Sequence, residues 1–233
     1  MLKQADLILE VLDARMIQES RNSEIEEKIL RSGKKLLYVF NKCDLVQNLS
    51  TLKHHAVQPS VFISSTEKLG TTVLKKRILE ISHGQPVVVG VVGYPNVGKS
   101  SVINALSGRG AARTSAESGF TKGIQKVRVD KKITLIDTPG VFPYQEKDEF
   151  VNAQIGAVDY GKIKDAETAA MRIVEAHSKL ICQHYRVEGE EGEELLEKIA
   201  FKLGLLGRGG RANFDAAARR VLKDWQTGKI KHG

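Results

Sequence analysis

Over the first 140 or so positions, apolar residues fall into short runs separated by polar or glycine-bearing breaks. Residues 5–14 (ADLILEVLDA) read as a mostly buried strand, with Asp13 and Arg15 at its C-terminal end. In an open α/β sheet that end faces the ligand crevice. Asn22-Ser23 opens a helix, with Ser23 and Glu26 at capping-box spacing, a stripe of Ile25, Ile29 and Leu30, and Gly33 to end it. Strands follow at 35–40 and 61–63, then a helix over 70–81 with Val73, Leu74, Ile78 and Leu79 apolar. The β-branched run 87–92 predicts another strand and 101–107 another helix. Residues 108–120 carry little periodicity and read as a loop. Runs 127–129 and 133–136 form a hairpin-like pair around Asp130.

From residue 150 the strand pattern stops. Stretches 151–155, 166–182 and 193–203 have helical spacing. In the tail, Phe214, Ala218, Val221, Leu222 and Trp225 fit one helix face, with Asp215 near its start. The pattern predicts a doubly wound, mostly parallel α/β domain over residues 1–148 and a helical C-terminal domain over 149–233.

Composition narrows this. A chain of 233 residues that is 41% hydrophobic can bury a proper core in one large domain or two smaller ones. The net charge of +8 suits a polyanionic partner as well as a merely basic enzyme. The two cysteines, Cys43 and Cys182, have no ligand spacing, which points away from a disulfide framework and towards a reducing, cytoplasmic setting. No run approaches a membrane span and the start has no signal-peptide layout, so no membrane partner is expected.

The chemistry concentrates in loops that follow strands. GYPNVGKS, Gly93 to Ser100, matches the phosphate-loop pattern G-x-x-x-x-G-K-[ST] and lies between a strand and a helix. In that setting the amides of Asn96, Val97, Gly98, Lys99, Ser100 and Ser101 and the positive helix end converge on phosphate. Lys99 reaches the β- and γ-phosphates and the Ser100 hydroxyl ligates Mg²⁺. NKCD, Asn41 to Asp44, ends the strand 35–40. A carboxylate at Asp44 accepts from guanine N1–H and its 2-amino group, neither of which adenine offers. Asn41 bonds the purine N7 edge and ties the loop, and the Lys42 stem lies along the base. In SSTEK, Ser64 and Ser65 follow a short strand, and the Ser65 amide is the expected donor to guanine O6. Thr121, in a loop between two stronger motifs, completes the Mg²⁺ shell. DTPG, Asp137 to Gly140, places Asp137 on Mg²⁺ and the Gly140 amide on the γ-phosphate. His54-His55 and the pair His177 and His184 read as polar-face or core histidines, and residues 188–194 as a solvated acidic loop.

The order of these motifs is rotated. NKCD and SST precede the phosphate loop, Thr121 and DTPG, whereas most GTPases run the other way. With Asp13-Ala14-Arg15 on the opening strand, the set resembles the circularly permuted GTPases of the YlqF/YawG type. That resemblance implies a P-loop GTPase domain binding GTP/GDP with Mg²⁺, an all-helical C-terminal domain and an association with ribosomal RNA or the large ribosomal subunit. Permutation is structurally cheap, because domain termini usually lie near one another at the surface. Here the joining segment is the helix 70–81, and the new break follows DTPG. Residues 140–149 are thus expected to pass a γ-phosphate signal straight to the C-terminal domain.

The tail from Arg208 holds seven basic residues against two acidic ones, a balance of +5. On the resemblance it is assigned to RNA phosphates rather than to DNA, the alternative being a basic surface helix. Ras-like enzymes place a water-orienting glutamine directly after DxxG. This chain has Val141 and Phe142 there, and Gln145 a few residues on, so intrinsic hydrolysis is expected to be slow. Asn96 resembles the asparagine with which some GTPases hold a K⁺ ion beside the phosphates; the alternative is a bond within the loop. Catalysis then rests on Lys99, Thr121 and Gly140. Two other readings stay open: a slow nucleotide-controlled binding module, and a GTPase of small-subunit or tRNA maturation. Oligomeric state is not legible in the sequence.

Overall fold

The computed structural model describes residues 3–108, 125–137 and 158–230. The chain divides into two units, Met1–Glu146 and Lys147–Gly233.

The first unit is built on a six-stranded sheet. Its strands are β1 (Leu7–Asp13), β2 (Lys35–Asn41), β3 (Ser60–Phe62), β4 (Val87–Val92), β5 (Gln125–Arg128) and β6 (Ile133–Asp137). The order across the sheet is β3-β2-β1-β4-β6-β5. All pairs are parallel except β5 with β6. The antiparallel hairpin at one edge is the pair expected around Asp130. β1 is central and buried along its whole length, and so reads as a nearly unbroken apolar run. The chain adds β2 and β3 on one side of β1, then restarts with β4 on the other. The junction of β1 and β4 is therefore the topological switch point, where a ligand crevice opens at the carboxyl ends of the strands. Among the described residues the unit also holds helices α1 (Ile17–Ser20), α2 (Ser23–Arg31), α3 (Leu49–His55), α4 (Thr71–Ile81) and α5 (Lys99–Ser107). Leu74 and Ile78 are the buried residues of α4, while Val73 is 59% exposed.

The start of α2 differs from expectation. Its N-cap is Asn22, whose side chain accepts from the Ile25 amide at 3.0 Å, and no Ser23–Glu26 capping box forms. Glu26 turns inward instead. Arg21 holds it in a fork at 2.8 and 2.6 Å, and the Tyr38 hydroxyl donates to it at 2.9 Å. Glu10, on the adjacent strand, accepts from the Asn22 amide at 2.9 Å. Leu30, placed in the apolar stripe, is 65% exposed.

In the second unit α6 (Ala166–Ala176), α7 (Ser178–Tyr185), α8 (Gly192–Leu203) and α9 (Phe214–Gln226) pack together. The single helix expected over 166–182 is broken at His177, which leaves helical geometry (φ −129°, ψ 31°) and stacks on Trp225 with ring centroids 4.5 Å apart. The aromatic contact fixes the ring where a continuous helix would carry it past. The α9 stripe is buried as expected at Ala218, Val221, Leu222 and Trp225. Asp224 is buried with them. It accepts from Tyr185 at 3.1 Å and from Arg220 at 2.6 Å, and Lys229 lies 3.3 Å away. Burial pushes the Asp224 carboxyl up, but Arg220 and Lys229 hold it below its ordinary range. The expected helix 151–155 lies outside the described residues.

Candidate functional site

Four loops meet at the carboxyl edge of the sheet. The phosphate loop leaves β4 at the switch point. Gly93 has φ 138°, and a Cβ there would collide with the Val11 carbonyl of β1. Gly98 has φ 98° and caps α5, and a Cβ there would collide with the Asn41 amide group. Both glycines are thus required by close backbone approach as well as by conformation. Asn96 also takes a left-handed conformation, φ 61°. Asparagine tolerates that geometry better than most residues.

Asn41, at the end of β2, is nearly fully buried and works in both directions. Its Nδ2 donates to the Val97 carbonyl at 2.9 Å, and its Oδ1 accepts from the Ser65 amide at 3.1 Å. One side chain therefore fastens the NKCD loop to the phosphate loop and to the SSTEK loop. This confirms the tie expected of Asn41, and it redirects Ser65. The Ser65 amide, expected at guanine O6, is committed to Asn41. Ser64 is fully buried, and its hydroxyl bonds Thr66 Oγ1 at 3.1 Å and the Glu67 amide at 3.2 Å. It shapes its own loop rather than reaching a nucleotide. The sequence could not separate three consecutive hydroxyl residues by role, because only the bridge Ser64–Leu69 sets which of them faces inward.

Asp44 lies in a single 3₁₀ turn, Cys43–Leu45, tied to β3 by the Cys43 amide on the Ile63 carbonyl at 3.1 Å. Its Oδ1 is buried and has no hydrogen-bond partner among the described residues. A buried carboxylate oxygen left open at this position is what a base with an N1–H and a 2-amino group would satisfy. The donor set fits guanine.

Lys42, expected along the base plane, sits at φ 62° with Nζ 2.9 Å from Asp13. Asp13 is fully buried and also receives Arg15, through Nε at 3.0 Å and a terminal guanidinium nitrogen at 2.7 Å. Burial alone would raise the Asp13 carboxyl, but the Arg15 and Lys42 charges hold it well below the usual carboxylate range. Burial pushes Lys42 down, against the pull of Asp13. Sequence reading placed Asp13 and Arg15 at the crevice; it did not detect that they form one ion cluster with Lys42.

Lys99 is buried and donates to the Tyr94 carbonyl at 2.6 Å, so its ammonium lies inside the loop that would hold phosphate. Burial pushes it down to about 8, and the Asp137 charge opposes that shift. The Ser100 hydroxyl and Asp137 Oδ2 lie 3.4 Å apart. A hydroxyl and a carboxylate converging beside a phosphate loop are hard oxygen donors of the kind Mg²⁺ takes. Thr121, Gly140, Val141, Phe142 and Gln145 lie outside the described residues. No group of three or more metal-binding side chains occurs among the described residues, and the histidine pairs belong to none.

Comparison with known proteins agrees with this layout. The family model described as a 50S ribosome-binding GTPase matches residues 88–199. An uncharacterized GTP-binding protein of Methanocaldococcus jannaschii is 40% identical over 99% of this chain and 64% of its own length. The nuclear GTP-binding protein NUG1 of Saccharomyces cerevisiae is 32% identical over 97% of this chain and 53% of its own length. The chain thus spans less than two thirds of these curated relatives. Among solved structures, GNP-bound YlqF from T. maritima is 25% identical, with a TM-score of 0.70 over 99% of this chain and 91% of that one.

Proposed function

The chain belongs to the circularly permuted GTPases of the YlqF type, and from that premise we propose that it binds GTP with Mg²⁺, hydrolyses it to GDP and phosphate, and acts in assembly of the large ribosomal subunit. The observation that carries the nucleotide half is the junction at Asn41. Base-selecting and phosphate-binding loops are locked to one another through a single buried side chain, beside a buried acceptor on Asp44 that awaits two donors.

In this reading Asp44 selects guanine, and the O6 donor passes from Ser65 to the next amide, that of Thr66. The phosphate-loop amides and Lys99 hold the β- and γ-phosphates, and Ser100 and Asp137 hold the metal. Mg²⁺ supplies charge neutralisation at the phosphate oxygens. Thr121 and Gly140 are assigned to the γ-phosphate by their motifs alone. Catalysis is positioning and electrostatics, with no side chain at Val141 or Phe142 able to orient water, and so a slow intrinsic rate. The left-handed Asn96 is assigned a K⁺ ion that adds charge beside the phosphates. Hydrolysis at least several-fold faster in K⁺ than in Na⁺ is expected, and equal rates remove that assignment.

The ribosomal half rests on the match to the 50S ribosome-binding GTPase family and on the net charge of +8. Ribosomal RNA is the proposed partner of the C-terminal unit. Free Cys43 and Cys182 suit a reducing compartment, and the cytoplasm is the proposed location. The test is GTP hydrolysis in K⁺ buffer with purified large subunits, and small subunits as control. Stimulation by large subunits alone supports the reading. Stimulation by small subunits, or by neither with GTP binding intact, replaces it with a different maturation role or a slow nucleotide-controlled module.

A further inference from the structure

The basic tail does not present its α9 arginines freely. Arg219 is held by Asp215 at 3.0 Å and Arg220 by Asp224 at 2.6 Å. The uncommitted charge lies just before, in the turn that joins α8 to α9. Lys202, Arg208 and Arg211 are exposed and make no ion pair or hydrogen bond through their side chains among the described residues. No acid occurs between Glu197 and Asp215.

The turn has a defined shape. Gly204 ends α8 at φ 66°, and the Leu205 amide reaches back to the Ala200 carbonyl at 2.8 Å. Leu206 and Ala212 form an antiparallel bridge, the Gly207 amide bonds the Arg211 carbonyl at 2.8 Å, and the Asn213 amide bonds the Leu205 carbonyl at 3.0 Å. Arg208 and Arg211 therefore flank a closed hairpin tip made by Gly209 and Gly210, both at positive φ with open space where a Cβ would be. Two residues before the end of α8, Phe201 is 52% exposed, and Leu206 at the hairpin base is 47% exposed. The helix end that leads into these two unpaired guanidinium groups thus also carries an aromatic ring left half in water, with apolar area still to bury.

We propose that this hairpin is a single-stranded RNA contact, with Arg208 and Arg211 on phosphates and the Phe201 ring as a platform for an unpaired base. Arginines without carboxylates match a polyanion rather than a protein of mixed charge. An exposed ring serves unstacked bases, whereas the base faces inside an RNA duplex are already stacked on one another. The glycine tip lets the strand approach the backbone. The inference rests on the ribosomal RNA reading above and names the place and the kind of RNA.

The test uses the full chain and a fluorescein-labelled, unstructured 12-nucleotide RNA, with a hairpin duplex of equal charge as control, read by anisotropy over a range of KCl. Large-subunit binding is measured alongside by co-sedimentation. The single strand is expected to bind more tightly than the duplex. Phe201→Ala should weaken it about tenfold with little change in salt slope. The double variant R208A/R211A should lower the slope by about 0.7 per arginine removed. Lys164→Ala, an exposed lysine elsewhere in the unit, should bind as the parent does. GDP affinity and the far-ultraviolet spectrum, unchanged in all of them, report that the first unit and the helical second unit are folded. If the parent binds RNA and Phe201→Ala and R208A/R211A bind it equally well, the hairpin is not the contact, although the ribosomal reading stands. If these variants lose large-subunit binding while the parent binds no RNA, the surface is a protein contact and the proposal is overturned. A parent that binds neither RNA nor large subunits overturns this inference and the ribosomal reading together.

Discussion

The side chain of Asn41 and the carbonyl of Val97 are 56 positions apart in sequence and 2.9 Å apart in space. Circular permutation has moved the base-selecting loop ahead of the phosphate loop, yet this bond joins them as one site. Asn41→Ala would leave the Val97 carbonyl and the Ser65 amide without their partner in a buried setting, at about 1–3 kcal/mol for each. GDP affinity, followed with a fluorescent nucleotide, should fall at least tenfold while the far-ultraviolet spectrum is retained. An unchanged affinity would mean that the two loops are positioned independently.

Asp44 offers a chemical exchange. Its open Oδ1 is an acceptor, and guanine presents two donors at that edge. Asp44→Asn replaces an acceptor with a donor amide, which opposes the 2-amino group but suits a 2-carbonyl. Affinity for GDP should drop by about 100-fold or more and affinity for xanthosine diphosphate should rise. Loss of both nucleotides without gain for xanthine would show that Asp44 holds the loop rather than reads the base.

Asp13 is a positioning residue in this arrangement, since it touches Lys42 and Arg15 rather than nucleotide. Removing its charge leaves two cations facing one another in a buried place, a change that commonly costs several kcal/mol. Asp13→Asn should therefore weaken GDP binding and lower the unfolding midpoint. The two effects separate in a double-mutant cycle with Lys42→Met. If Asp13 acts on the nucleotide through Lys42, its effect on GDP affinity shrinks in the Lys42→Met background. Additive losses would mean that Asp13 affects GDP binding by a route other than Lys42.

The strands and the loops that follow them were legible because each carries its own local signal: a β-branched run, then a glycine or a motif with fixed spacing. Side-chain partnerships across elements were not legible. Ser23 has better capping-box spacing than Asn22, yet Asn22 caps α2, because Arg21 and Tyr38 draw Glu26 into the interior. Periodicity runs unbroken through His177, and the stack of its ring on Trp225, far along the chain, accompanies the break. Likewise Asp224 reads as a surface acid, yet it is buried against Tyr185 and Arg220, and it ties up in an ion pair the Arg220 charge that the sequence offered to RNA.

Glu10 is the acid that no motif announced. It sits mid-strand in β1, opposite Tyr38 on β2 and Val92 on β4, and is fully buried. Its Oε1 accepts from the Asn22 amide, and its Oε2 has no partner among the described residues. Burial pushes its pKa up to about 8, the Asn22 bond opposes this, and the neighbouring Glu26 charge adds to it while Arg21 subtracts. In the unfolded chain the same carboxyl titrates near its ordinary 4.5. Between those values the folded protein holds a proton that the unfolded chain has lost. This contribution to stability is therefore complete below about 4.5 and is lost as pH rises towards 8. Urea unfolding at pH 5.5, 7 and 8 should show stability falling by an amount on the order of a few kcal/mol across that range. Glu10→Gln keeps the acceptor for Asn22 and cannot ionise, so its stability should fall less over the same range and exceed that of the parent at pH 8. Parallel pH profiles for the two proteins would place the titration elsewhere.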